Sequence, residues 1–394
     1  MVFINRVQRY AYFLNYVHFW RKKFVIVLKK SYLCNQITNG MSRLFCALLL
    51  LLLAWECCAQ DVIVVKKGDV QSLLEAIKTA SNRNRDRDSE RIFILIPDGY
   101  YDLGEKTLTR VAGNNIALVG QSMEGTIIRN APSTKIESIS KTAVLQNRGK
   151  GNYYQDLTLR NDLDYYHVEP DGRAVCLQDK GDRTICNRVR MLSYQDTYYS
   201  DYEKCHNYFQ DSEIHGTIDF ICGAGDVWFE RCLLVTEKRR RDGSGVNIIM
   251  APRTSETKWG YVFNRCTIVN DESAFYYGRG WHTNPRCVWL YTTLMTPEKL
   301  MPTRFDPEGM KISSNYFKEY GTMDARGRDI TPKTNVVRFT LRDHTQPFTA
   351  ETVMTRDELK QYTLKNVFGW WQPKKELKRL ERQSRKLKKR YKLN

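Results

Sequence analysis

The chain has 394 residues, enough to bury a large core as one long domain or two ordinary ones. Its formal net charge of +18 points to nucleic acid only until the charge is located. Residues 1–40 hold seven Lys/Arg and no acid, residues 41–60 cancel, and residues 374–394 hold eleven Lys/Arg against two Glu. Residues 61–373 are therefore left at about +2, and a nucleic-acid footprint on the body has little support.

In chain order, residues 41–60 read as a secretory signal. Arg43 supplies the positive region, Leu44 to Trp55 the apolar stretch, and Cys57-Cys58-Ala59 the small-residue cleavage site. That apolar run is short for a membrane span. A signal starting at Met41 makes residues 1–40 either an over-extended start or a long basic, aromatic leader. Seven cysteines follow the signal, an odd number, mostly in apolar strand contexts and without CxxC or Cys/His zinc spacing. They are expected to be mainly free, buried thiols, with one disulfide left open.

Asp61 to Val65 begins a strand, and Asp69 is placed to cap a helix with Val70, Leu73, Leu74 and Ile77 on one face. Asn82 to Arg91 is a charged loop, and Arg91 to Ile96 is a strand ending at the turn Pro97-Asp98-Gly99. Short strands follow at 115–119 and 126–129. From residue 154 an inner pattern recurs: an aromatic or apolar residue, then small or apolar ones three and five positions on. It appears at Tyr154/Leu157/Leu159, Cys186/Val189/Met191, Phe209/Ser212/Ile214, Phe229/Cys232/Leu234, Phe263/Cys266/Ile268 and Trp289/Thr292/Leu294. A fixed inner pattern with variable steps predicts a parallel β-helix, whose strands stack in register while loops of any length bulge out. A β-sandwich would want hairpin turns more often than they occur here. Residues 298–345 read as loop-rich and Val353 to Phe368 as a helix. The basic tail, 374–394, reads either as a frayed, solvated helix or as an electrostatic handle for an anionic polysaccharide or membrane surface.

Two carboxylates stand out, Asp196 in Tyr194-Gln195-Asp196-Thr197 and Asp219 in Gly216-Thr217-Ile218-Asp219-Phe220, 23 residues apart. One coil of roughly 20–35 residues would bring them side by side. Neighbouring carboxylates push their pKa values apart, which supplies a base or nucleophile and an acid. Two solvated turn aspartates are the bland alternative.

YQDTYY at 194–199, GTIDFICGAG at 216–225 and YYGRGW at 276–281 resemble, in the same order, the YQDTLY, GTVDFIFG and LGRPW motifs of the pectin methylesterases, and the type expected is bacterial and secreted. The resemblance runs loosely from residue 62 to Pro373, through ALVG at 117–120 and FKEYGT at 317–322. It implies an all-β, right-handed parallel β-helix with a short N-terminal helix and a C-terminal helical segment. It also implies removal of methyl esters from polygalacturonate with no metal or other cofactor. Carried over by motif, Asp219 is the nucleophile, Asp196 the acid and later base, Gln195 an oxyanion donor, and Arg279 the partner of Asp219. Trp281, Phe220 and Arg173 are assigned to the substrate. Pectin is the expected partner, nucleic acid is not, and a monomer is expected.

Two departures bear on chemistry. Counting back 22 residues from Gln195, the family's QAVAL falls on Arg173-Ala174-Val175-Cys176-Leu177, so Arg173 replaces an oxyanion-donating Gln. Arg173 has three uses: to stabilise the oxyanion, to pair with an aspartate, or to reach outward to a free carboxylate on an adjacent sugar, which its length favours. Gly280 stands where the family has proline, with a looser loop as the expected result. A catalytically weakened β-helix that binds acidic polysaccharide is the competing function. A lyase would need a cluster of acidic Ca²⁺ ligands, and no such cluster is legible.

Overall fold

The computed structural model describes residues 61–393 except 86–89, 169–171, 255, 271 and 342–345. The leader and signal expected at 1–40 and 41–59 lie outside the described residues. Asp69 caps the first helix by accepting from the Ser72 amide at 2.9 Å. That helix, Val70–Arg83, buries Leu73, Ala76, Ile77 and Ala80.

Strand Ile185–Leu192 shows how the coils are built. Its first half pairs in parallel with His206–Gln210, setting Cys186 beside Phe209. Its second half pairs with Glu213–Gly216, setting Met191 beside Ile214. Between the halves Arg188 takes a left-handed φ of 51°, which turns the chain from one wall to the next. The same corner recurs at Asp156, Asp211, Arg231, Arg265 and Tyr291, with φ between 48° and 55°. A non-glycine residue there costs roughly 1–2 kcal/mol. Opposite charges on adjacent corners offset part of it, as in Arg188–Asp156 at 2.6 Å and Arg231–Asp211 at 2.8 Å.

Within the coil, the recurring aromatic position forms a column. Tyr154, Cys186, Phe209, Phe229, Phe263 and Trp289 are successive register partners. The rings of Phe209, Phe229, Phe263 and Trp289 stack with centroids 4.6, 4.7 and 3.9 Å apart. This is the right-handed parallel β-helix that the repeat predicts, with a 17-stranded sheet forming the joined walls and a seven-stranded sheet the remaining one. All seven described cysteines are buried and free, so the disulfide left open by the count is not formed.

Three expectations are corrected. The loop-rich stretch contains a further coil, because Arg286–Leu290 pairs in parallel with Tyr316–Tyr320 across the Pro- and Gly-containing insert. The helix expected over 353–368 is two short ones, Arg356–Gln361 and Leu364–Phe368, because Thr363 accepts from the Asn366 amide and starts a new helix. The basic tail is neither frayed nor fully solvated. It forms the helix Pro373–Arg390, with Leu377, Leu380 and Leu387 buried among Tyr153, Ile185, Tyr208 and Trp228 on the outside of the 17-stranded sheet.

Candidate functional site

The seven-stranded sheet carries the site. Strand Tyr198–Ser200 pairs in parallel with Ile218–Gly223, matching Tyr198 to Ile221 and Tyr199 to Cys222. This 23-residue offset sets Asp196 beside Asp219. A parallel bridge between Arg173 and Gln195 extends the neighbourhood by one coil. The motif threonines tie the coils together: Thr197 Oγ1 donates to the His215 carbonyl at 2.7 Å, and the Thr217 amide donates to the Tyr194 carbonyl at 2.8 Å.

Both aspartates sit in the left-handed region, Asp196 at φ 59° and Asp219 at φ 52°. Such conformations persist only where surrounding structure fixes them, and they concentrate at functional sites. The strand is irregular between Ile218 and Ile221. There the Asp219 side chain meets the cleft while the next residue turns inward. Phe220 is fully buried in the coil interior, which corrects its assignment to the substrate. Gly216 makes room for it, since a Cβ there would come within 2.1 Å of the Phe220 Cβ.

Arg279 grips Asp219 in two places, Nε to Oδ1 at 3.0 Å and Nη2 to Oδ2 at 2.6 Å. Burial opposes the Arg279 charge, but the Asp219 carboxylate holds its pKa above the ordinary value. Asp196 is 4% exposed. Its carboxyl is pushed well above the usual carboxylate range, first by burial and then by the neighbouring Asp219 charge. Arg173 opposes this only from a distance, with Nε 4.0 Å from Asp196 Oδ2. Its Nη1 donates to both Glu137 oxygens at 3.2 Å, and its amide donates to Glu137 Oε1 at 2.8 Å. Arg173 is thus engaged by Glu137, a partner outside the three uses expected, and it approaches an aspartate only at 4.0 Å.

Arg173, Gln195, Asp196, Asp219, Arg279 and Trp281 line one cavity of about 290 Å³. Trp281 lies 6.1 Å from the Tyr199 ring, and the Arg253 guanidinium sits 5.5 Å above it. Of the expected site residues, only Phe220 is absent from this lining. Ile139, Cys222, Ala251 and Met310 complete the wall, and Glu137 clamps Arg173. Sequence reasoning missed these. Cys222 lay inside the GTIDFICGAG motif, but three residues from Asp219 it would face the other side of a regular strand, and Glu137, Ile139 and Met310 come from loops with no periodic signal. Nor is the Gly280 loop loose: a Cβ at that position would come within 2.5 Å of the Ile312 side chain. Among the described residues, no three His, Cys, Asp or Glu side chains are grouped as metal ligands. An ionised carboxylate beside a carboxyl that keeps its proton can perform nucleophilic and acid–base chemistry on one substrate.

Comparison with known proteins bears on the family and the fold. Residues 61–355 match the family model described as Pectinesterase. A probable pectinesterase/pectinesterase inhibitor of Arabidopsis thaliana is 25% identical over 276 residues, covering 66% of this chain and 49% of that protein. A pectinesterase/pectinesterase inhibitor of Ficus pumila var. awkeotsang is 32% identical over 247 residues, covering 58% of this chain and 42% of that protein. The chain thus spans about half, or less, of the length of these curated relatives. Among solved structures, pectin methylesterase PemA from Erwinia chrysanthemi superposes with a TM-score of 0.59 at 22% identity, over 79% of this chain and 98% of that one. A pectin methylesterase in complex with a hexasaccharide gives 0.59 at 23% identity, over 79% and 97%. At these identities the structural likeness speaks to the fold.

Proposed function

This chain belongs to the pectinesterase family, and we propose that it hydrolyses the methyl esters of polygalacturonate, releasing methanol. The observation that carries the reading is the pairing of Asp196 with Asp219 in opposite electrostatic surroundings. Asp219, held by Arg279, attacks the ester carbonyl. The Gln195 amide donates to the oxyanion that develops. As the tetrahedral intermediate collapses, the C–O bond to methoxide breaks and the Asp196 proton passes to the leaving oxygen. Water then gives a proton to Asp196 and attacks the acyl-enzyme, which frees the uronate carboxyl and restores Asp219. Trp281 offers an apolar face to a sugar ring. Clamped by Glu137, Arg173 limits the positive field on Asp196 and so preserves the acid.

Export through the leader at 41–59 is part of this proposal, and among the described residues no helix is long and apolar enough to cross a membrane. The curated relatives named above are plant proteins, so secretion is kept here without the bacterial attribution. The chain is proposed to act as a monomer. A non-catalytic polysaccharide binder is the second reading, favoured by the Arg173 cation 4.0 Å from the proposed acid. Methanol release from esterified pectin by residues 61–394, beside an Asp219→Asn control, decides between them. Turnover lost in the control supports the esterase; no methanol from the wild type, with polysaccharide retained, supports the binder.

A further inference from the structure

The C-terminal helix separates its charges. Its acids, Glu376 and Glu381, both face the body: Glu376 accepts from Arg91 at 3.1 Å and from the Trp371 indole at 2.8 Å. Glu381 accepts from Asn187 at 3.0 Å and from Arg188 at 2.7 Å. Its leucines are buried against the same wall. The solvent side is left to cations. Lys375, Lys378, Arg379, Arg382, Lys386 and Lys389 are all exposed at helical spacing. They form one stripe from Lys375 to Lys389, about 21 Å of helix.

At the head of this stripe Trp370 is 77% exposed, with the Arg183 guanidinium 5.3 Å from its ring centre. Its neighbour Trp371 is buried against Phe368, so the pair divides between anchoring the helix and presenting an indole to solvent. Trp370 and the first four cations of the stripe line an open groove of about 650 Å³, together with Trp371, Gln372 and the carboxylate of Glu376, whose charge is answered by Arg91. This groove lies outside the 17-stranded sheet and is separate from the cleft on the seven-stranded one.

We propose that this groove and stripe bind de-esterified polygalacturonate as a second site, with Trp370 against a sugar ring and the cations on uronate carboxylates. The partner's chemistry follows from charge complementarity and rests on the reading above, in which the cleft turns neutral esters into these carboxylates. A membrane fits less well, because the apolar face a surface helix would insert is already buried against the body. Nucleic acid shares the electrostatics and is tested below.

The test uses the full chain, immobilised fully de-esterified polygalacturonate, and the variants Trp370→Ala and Lys378→Glu/Arg382→Glu. Each variant is expected to weaken retention at low salt by roughly tenfold, and about 1 M salt should weaken the wild type similarly. Methanol release from a short, fully esterified oligomer and the melting temperature should stay unchanged. Equal retention of wild type and variants overturns the proposal. So does tighter binding of the wild type to duplex DNA or to anionic phospholipid vesicles than to polygalacturonate. Absence of turnover in every form, with Trp370-dependent retention intact, sinks the esterase reading while supporting this surface.

Discussion

Asp156 and Asp196 are both largely buried aspartates held in left-handed backbone, at φ 52° and 59°. Asp156 lies at a coil corner beneath the C-terminal helix, and Asp196 lies in the cleft. Burial works to raise the Asp156 pKa, but Arg188 at 2.6 Å and Lys388 at 2.5 Å hold it below the usual range. Asp196 has a carboxylate for its close neighbour and a guanidinium only at 4.0 Å, and its pKa rises. The same residue type in the same strained conformation is thus a structural rivet in one place and a proton reservoir in the other. The difference lies in whether cations answer the charge.

The largest expected effect removes the rivet's partner. Deleting residues 374–394 uncovers an apolar wall, since Leu377, Leu380 and Leu387 are each no more than 5% exposed. At roughly 1.5–3 kcal/mol for each buried leucine, the loss is about 4.5–9 kcal/mol. Urea unfolding should show it, and an unchanged midpoint would mean the helix is not docked. On the cleft side, Asp219→Asn should abolish methanol release, since an amide cannot be the nucleophile, and Asp196→Asn should cut it by roughly 10²–10⁴-fold, both with the fold intact. Retention of more than half the rate by either variant would sink the assignment.

Stability against pH tests the contrast with opposite signs. Asp156 has a lowered folded pKa, so its pairing contributes above the ordinary carboxylate pKa and is lost as pH falls through the folded value. Asp156→Asn should therefore destabilise at neutral pH, by roughly 1–3 kcal/mol. Asp196 has a raised folded pKa, so the folded state pays for ionisation as pH rises above the ordinary range. Asp196→Asn should then melt higher than wild type at neutral pH, by about 2–4 °C for each kcal/mol relieved. Both gaps should close in acid, and two gaps of the same sign would break the comparison. The smallest effect sharpens it. Glu137→Gln releases Arg173 toward Asp196, so the alkaline limb of kcat/KM should move to lower pH by a fraction of a unit. An unmoved limb would assign Glu137 to structure alone.

Much of this was legible in the chain because parallel coils convert sequence offset into lateral neighbourhood. The spacing of Asp196 from Asp219, the 22-residue step from Arg173 to Gln195 and the aromatic inner column all fall where strand register requires. Each coil buries its apolar residues only by stacking on the next, so the pattern had to repeat. The tertiary structure decided the rest. Phe220 follows Asp219 directly, so strand alternation by itself sends the two side chains to opposite sides; what the irregular strand with its left-handed aspartate decided is that Asp219 and Cys222, three residues apart, both reach the cleft. Glu137, Ile139 and Met310 reach the cleft from loops whose length the coil does not constrain. The basic helix carries an apolar stripe in its sequence, but what that stripe covers depends on a wall assembled from strands up to 284 residues earlier, from Phe93 to Leu377. The pKa of Asp196 depends likewise on which charges the coils bring within reach, a property of distances and burial rather than of residue order.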